Sequence, residues 1–183
     1  TVPRGIVAAD LNGDGRPDLV VANRVPCNGS SYIYWGQAGG LYGIQYDSSA
    51  LTNLPTLCAI AVAVADLNGD ERPEVIFGNL QSDSTHNTNS YIYWGQAGGL
   101  YGTQYSTGAR TDLPTSGASG ITVADLNGDS RPEIIFGNHY NDNTNNVDSY
   151  IYWGQPGGTY GVTYTASVRT SLPGNGARNV SVA

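Results

Sequence analysis

An all-β chain of β-propeller blades is what this sequence predicts, on three observations. The string Tyr-Ile-Tyr-Trp-Gly-Gln begins at Tyr32, Tyr91 and Tyr150, each 59 residues from the last, so one unit is written three times. Each unit divides into four short β-type runs separated by turn residues, and four strands in a repeat of this length make a blade. Composition agrees: 25 Gly and 9 Pro beside only 13% charged residues describe a turn-rich chain. A helical solenoid is excluded because no 3.6-residue apolar period runs through the chain.

In the second copy the first strand is expected over Ile60–Ala65, where larger apolar residues alternate with Ala. The second follows over Glu74–Gly78, the third over Ser90–Gly95 and the fourth over Gly102–Ser106, after the Gly98-Gly99 turn. Repeats therefore cover 1–56, 57–115 and 116–174, with an extra first strand over 175–183, because Gly176–Ala183 aligns with Gly117–Ala124. Twelve of the thirteen Tyr fall at repeated positions and are expected in the packing between blades. Three blades leave edges unpaired, so the chain is expected either to close a six- or seven-bladed ring as a homo-oligomer or to be a fragment of a longer propeller. A sequence without Met fits a processed form or a piece of a longer chain.

The net charge is −7, with eight basic residues, all Arg, and a sequence pI near 4.4. That balance offers nucleic acid or an anionic membrane no attraction, and no apolar run approaches the roughly 18 residues of a membrane span.

Nine of the fifteen acids sit in one repeated motif. It reads Asp10, Asn12, Asp14, Arg16 and Asp18 in the first unit, Asp66, Asn68, Asp70, Arg72 and Glu74 in the second, and Asp125, Asn127, Asp129, Arg131 and Glu133 in the third. Oxygen donors at positions 1, 3, 5 and 9, with the position-7 carbonyl, are what a hard cation such as Ca²⁺ requires. An EF-hand would place Glu at position 12, where this chain has Val21, Phe77 and Phe136. The alternative is a metal-free Asx turn. Against it, three carboxylates within nine residues repel one another unless a cation neutralises them. Position 6 favours Gly for a sharp turn, and it is Gly15 but Glu71 and Ser130, so strain is expected in the second and third loops.

These loops, each running into a strand such as Leu19-Val-Val-Ala-Asn23 or Val75-Ile-Phe-Gly-Asn79, resemble the FG-GAP or VCBS repeats found in integrin α-subunit propellers. Combined with Ser-Tyr-Ile-Tyr-Trp, the pattern is most similar to the Psathyrella velutina-type lectins. That resemblance implies a calcium-stabilised, secreted lectin that binds N-acetylglucosamine-type sugars between adjacent blades. An integrin-like adhesion or scaffold propeller that binds protein is the alternative.

One face of each blade is expected to carry the cation loop and the Gln96–Gly102 hairpin, and the other the loops 79–90 and 107–117. The second face is rich in amides, guanidinium groups and aromatics, which suit sugar hydroxyls and pyranose faces. Its candidate sugar-binding residues are Asn79, Tyr91, Trp94, Arg110, Asn138, His139, Tyr150, Trp153 and Arg169. By strand alternation the Trp residues read first as core and second as platforms. Cys27 and Cys58, present only in the first unit, are read as a bond between neighbouring blades, which suits an extracellular setting, with two free thiols as the alternative. Neither His recurs, and no nucleophile elbow or phosphate loop is present, so a non-enzymatic binding protein is expected.

Overall fold

The computed structural model describes residues 2–82 and 84–182. They form three four-stranded antiparallel sheets, one per repeat. In the first, β1 (Pro3–Ala9), β2 (Asp18–Asn23), β3 (Ser30–Tyr34) and β6 (Leu51–Pro55) lie side by side in that order, with a short arm of β4 (Gln37–Ala38) and β5 (Ile44–Gln45). The second repeats this with β7 (Ala59–Ala65), β8 (Glu74–Asn79), β9 (Asn87–Tyr93) and β12 (Arg110–Ser116), and an arm of β10 (Gln96–Ala97) and β11 (Thr103–Gln104). The third has β13 (Ala118–Ala124), β14 (Glu133–Asn138), β15 (Ser149–Tyr152) and β18 (Arg169–Leu172), with β16 (Gln155–Pro156) and β17 (Val162–Thr163). Two short 3₁₀ turns, Thr107–Ala109 and Ala166–Val168, are the only helical elements among the described residues. The arrangement is that of propeller blades.

The fourth strand of each blade is not where the sequence places it. Gly102–Ser106 holds only the two-residue β11, which folds back on β10, and the outer strand is Arg110–Ser116. That strand has a largely polar surface, with Leu113 buried and Pro114 exposed on the blade's edge, where no ladder amide is needed. A mostly polar edge strand carries no hydrophobic alternation to read.

Blades meet along their first strands, β7 lying against both β1 and β13. Contact there is close enough that a Cβ on Gly5 would stand 3.1 Å from the Ile60 carbonyl oxygen. Aromatic side chains complete the packing by a repeated rule. Trp35 stacks on Tyr101 of the next blade (4.9 Å between centroids), and Trp94 stacks on Tyr160 (4.5 Å). The Tyr93 and Tyr152 hydroxyls donate to the carbonyls of Pro55 and Pro114 in the preceding blade. Tyr46, Tyr105 and Tyr164 donate within their own blades to Pro17, Pro73 and Pro132, which closes each Asp-rich loop against the arm. Tyr42 holds the same position as Tyr101 without a preceding Trp, and it is 89% exposed.

The segment expected as an extra strand lies against β13, where the Ser119 hydroxyl donates to the Ala177 carbonyl (2.7 Å). Residues 175–182 make no strand ladder, and Ala183 lies outside the described residues.

Cys27 and Cys58 are joined by a disulfide that ties the loop after β2 to the start of the second blade. Cys58 takes a left-handed conformation (φ 48°) at the position held by Gly117 and Gly176 in the other units. The sequence separation is 31 residues, a loop whose closure limits the unfolded chain by about 3–4 kcal/mol. Replacing the pair with Cys27→Ser and Cys58→Gly recovers roughly 1 kcal/mol of backbone strain. The expected net loss of about 2–3 kcal/mol lowers the Tm by roughly 4–12 °C. A melting curve identical to that of the oxidised protein would refute this account of the bond.

Candidate functional site

Each Asp-rich loop is a tight wrap of backbone around its first carboxylate. Asp10 accepts from the amides of Asn12, Gly13, Asp14 and Gly15 at 2.8–3.3 Å. Asp66 accepts from Gly69, Asp70 and Glu71, and Asp125 from Gly128, Asp129 and Ser130. The amide oxygens of Asn12, Asn68 and Asn127 accept from the position-5 amides. Position 6 is left-handed in all three loops, with φ of 81° at Gly15, 64° at Glu71 and 65° at Ser130. The two non-Gly residues therefore carry the expected strain, of order 1 kcal/mol each.

The position-9 acids, Asp18, Glu74 and Glu133, are fully buried. One oxygen of each accepts from the amide of Leu11, Leu67 or Leu126 at 2.7–2.9 Å. The other oxygen is held less well along the chain: Asp18 accepts from Gly36 at 2.8 Å, Glu74 from Gly95 at 3.4 Å, and Glu133 Oε1 is buried with no partner. Burial pushes the Asp18 carboxyl up from its ordinary value. It pushes Glu74 to about 8, with the negative charges of Asp70 and Asp66 adding to the effect.

The arginines at position 7 do more than the sequence reading assigned to their carbonyls. The guanidinium groups of Arg16, Arg72 and Arg131 fold back on the position-5 carboxylates Asp14, Asp70 and Asp129, the last two at 2.9 and 2.6 Å. Each loop thus sets its three repeated acids against one internal cation, and the second loop adds a fourth acid, Glu71. Among the described residues, no three His, Cys, Asp or Glu side chains stand close enough to hold one ion without moving. The donor chemistry nonetheless suits a hard cation: the side-chain donors are oxygen throughout, each loop has at least two more carboxyl groups than arginines, and the buried Glu133 oxygen is unsatisfied. An ion would be held by the side chains at positions 1, 3, 5 and 9 and by the position-7 carbonyl, with Arg16, Arg72 and Arg131 as its competitors.

The grooves between blades are built on a different pair. The Arg110 guanidinium lies 3.9 Å from the Tyr91 ring centroid, and Arg169 lies 3.7 Å from that of Tyr150. Tyr91 and Arg110 face Pro55, Thr56 and Leu57 of the preceding blade across a cleft of about 160 Å³. Tyr150 and Arg169 face Pro114, Thr115 and Ser116 across one of about 220 Å³, with Asn87 and Asn89 at its rim. Arg110 is spent on Asp112, at 2.7 and 3.1 Å. The third blade has Ser171 at the position of Asp112, and there Arg169 donates only from Nη1, to the Pro114 carbonyl and the Tyr152 hydroxyl, at 3.3–3.4 Å.

Five of the nine sequence-assigned sugar residues are placed elsewhere. Asn79 and Asn138 are fully buried, each side chain accepting from the last strand of the preceding blade or its connection, at Leu57 or Ser116, and donating to Asn89 or Asp148 in its own blade. They are framework, because a buried amide at the end of the second strand must satisfy both its polar groups. Trp94 is buried between blades, its indole N–H donating to Thr111, and it offers no platform. His139 lies outside the grooves, in a cleft beside the first strands. Trp153 is partly covered and bonded to Thr170. Arg110 opens strand β12 and does not lie in a polar-face loop. Tyr91, Arg110, Tyr150 and Arg169 are the assigned residues that the fold brings together.

The FG-GAP-like repeat family model matches residues 3–77. Human integrin alpha-7 is 28% identical over 142 residues, which cover 72% of this chain and 12% of that protein. Human phosphatidylinositol-glycan-specific phospholipase D is 28% identical over 152 residues, covering 74% of this chain and 18% of that protein. The chain therefore spans less than a fifth of either relative.

Proposed function

On the premise that this chain is a propeller segment of FG-GAP-like repeats, we propose that it is a calcium-braced binding module of the integrin-like adhesion or scaffold type, working outside the cell. The observation that carries this is the repeated Arg-on-Tyr pair at the two inter-blade grooves. Tyr and Arg dominate protein-binding hot spots, and a guanidinium already stacked on a ring loses little freedom when a partner arrives. Groove size favours a protein side chain over an enclosed small molecule, since about 160 and 220 Å³ fall below the ~300 Å³ of ordinary ligand pockets. The disulfide and the likeness to an integrin support an extracellular setting.

The rim amides Asn87 and Asn89 favour a second reading, a lectin for N-acetylated glycans. Exposed Ile6, Val168 and Leu172 on the first and last blades support self-association to close a ring as part of the same proposal.

Cell adhesion to the immobilised protein tests the first reading. Arg169→Ala or Tyr150→Ala is expected to weaken it by roughly tenfold or more, as loss of a hot-spot residue does. Retention on N-acetylglucosamine resin with elution by free sugar would transfer the grooves to the lectin reading. Adhesion undiminished in both variants would remove them from either.

A further inference from the structure

The three arginines outside the loops and grooves converge on one place. Arg4, Arg24 and Arg178, with His139, line a cleft of about 370 Å³ whose remaining walls are Ile60, Leu80 and Ser119. No acid is among them, in a chain whose net charge is −7.

The repeat explains how they meet. Arg4, Ile60, Ser119 and Arg178 occupy one repeat position in the three first strands and the segment that follows, and Arg24, Leu80 and His139 directly follow the three second strands. Each first strand skips one residue in its ladder, between Pro3 and Gly5, Ala59 and Ala61, and Ala118 and Gly120. The skipped residues are Arg4, Ile60 and Ser119, so a bulge recurs in every blade and turns that residue's side chain out of the ladder's alternation toward the cleft. Close approach fixes the remaining wall: a Cβ on Gly120 would lie 2.8 Å from Asn179 Cα, so the backbone next to Arg178 is seated against β13. The Cys27–Cys58 bond ties down the loop that follows Arg24.

Charge is segregated by this geometry. The ten loop acids lie at the opposite ends of the first and second strands from the cleft, and Arg16, Arg72, Arg131 and Arg110 are already paired with carboxylates. Arg4, Arg24 and Arg178 have no ion pair among the described residues. The acid closest in sequence to His139, Asp142, is engaged by Thr85 and His86. The positive charge of Arg178 also helps burial hold His139 below its ordinary value.

We propose that this cleft is an oxyanion site, in which Arg4, Arg24 and Arg178 grip a phosphate- or sulfate-type group, free or carried on a sulfated saccharide. Guanidinium forks match such oxygens in pairs, and three of them around one opening suit a dianion. The inference is independent of what the outer grooves bind.

Calorimetric titration of the full chain at low ionic strength with inorganic phosphate, inorganic sulfate and a sulfated disaccharide tests it. Saturable binding of at least one probe is expected. The repeat supplies tolerated replacements, Ser119 standing where Arg4 does and Leu80 where Arg24 does. Arg4→Ser and Arg24→Leu are each expected to weaken binding about tenfold or more. Arg178→Ser removes a cation from a segment outside any ladder, so it reads the site even where a strand substitution unsettles its blade. Arg169→Ser, in the outer groove, is expected to leave the titration unchanged. Preference for the disaccharide over the free ions assigns the group to a glycan, and equal binding assigns a site for the ion itself. Absence of saturable binding by any probe, undiminished binding in the Arg4→Ser, Arg24→Leu and Arg178→Ser proteins, or an equal loss in Arg169→Ser would overturn the proposal.

Discussion

Restoring calcium to the chelator-treated protein is expected to raise its Tm by roughly 15–30 °C. An ion at a hundred times its dissociation constant stabilises the folded state by about 2.7 kcal/mol per site, and a chain of this size gains about 2–4 °C per kcal/mol. Three such loops then contribute about 8 kcal/mol. The physical source is the surplus of acid: at least two carboxyl groups per loop lack a cation even with Arg16, Arg72 and Arg131 turned inward. In the third loop one buried oxygen of Glu133 also lacks any partner. Asp70→Ala removes one donor from one loop and is expected to abolish about a third of the calcium-dependent rise. A melting curve indifferent to chelator would mean that the three arginines are the loops' only neutralising cations and that calcium has no structural part.

The second large effect lies in the packing between blades. Trp94→Ala removes a buried indole stacked on Tyr160 and bonded to Thr111, and the expected cost is about 3–5 kcal/mol, or roughly 6–20 °C in Tm. Trp153 is the internal control. It makes the same bond to its outer strand but is only partly covered, so Trp153→Ala is expected to cost under about 2 kcal/mol. Equal losses in the two variants would show that the stacking across blades contributes nothing beyond the packing within one blade. Thermal melts of the two proteins under saturating calcium make the comparison at one reference state.

Much of this molecule was legible in one dimension. A 59-residue period, Asp and Asn at fixed offsets and apolar alternation in the first three strands are local patterns, and local patterns survive in sequence because each strand and turn selects its own residues. Blade number and the loop positions follow from them. The outer strand Arg110–Ser116 did not, since a mainly polar edge obeys no period, and the short Thr103–Gln104 run imitated it.

The site residues divide in the same way. That Asn79 and Asn138 are buried framework and that Trp94 faces the next blade depend on neighbours one blade away, whereas Arg169 lacks the carboxylate that occupies Arg110 because its own strand has Ser171 in place of Asp112. Such neighbours also decide the gathering of Arg4, Arg24 and Arg178, which stand far apart in the chain and meet because Arg4 is on the bulge of β1, Arg24 directly follows β2 and the backbone beside Arg178 is seated against β13. Sequence by itself determined what each blade is, since hydrogen-bonded strands and Asx-rich turns are short-range. Tertiary structure alone decided which side chains remain free to bind, because burial and charge pairing are set by whatever the neighbouring blade places across the gap.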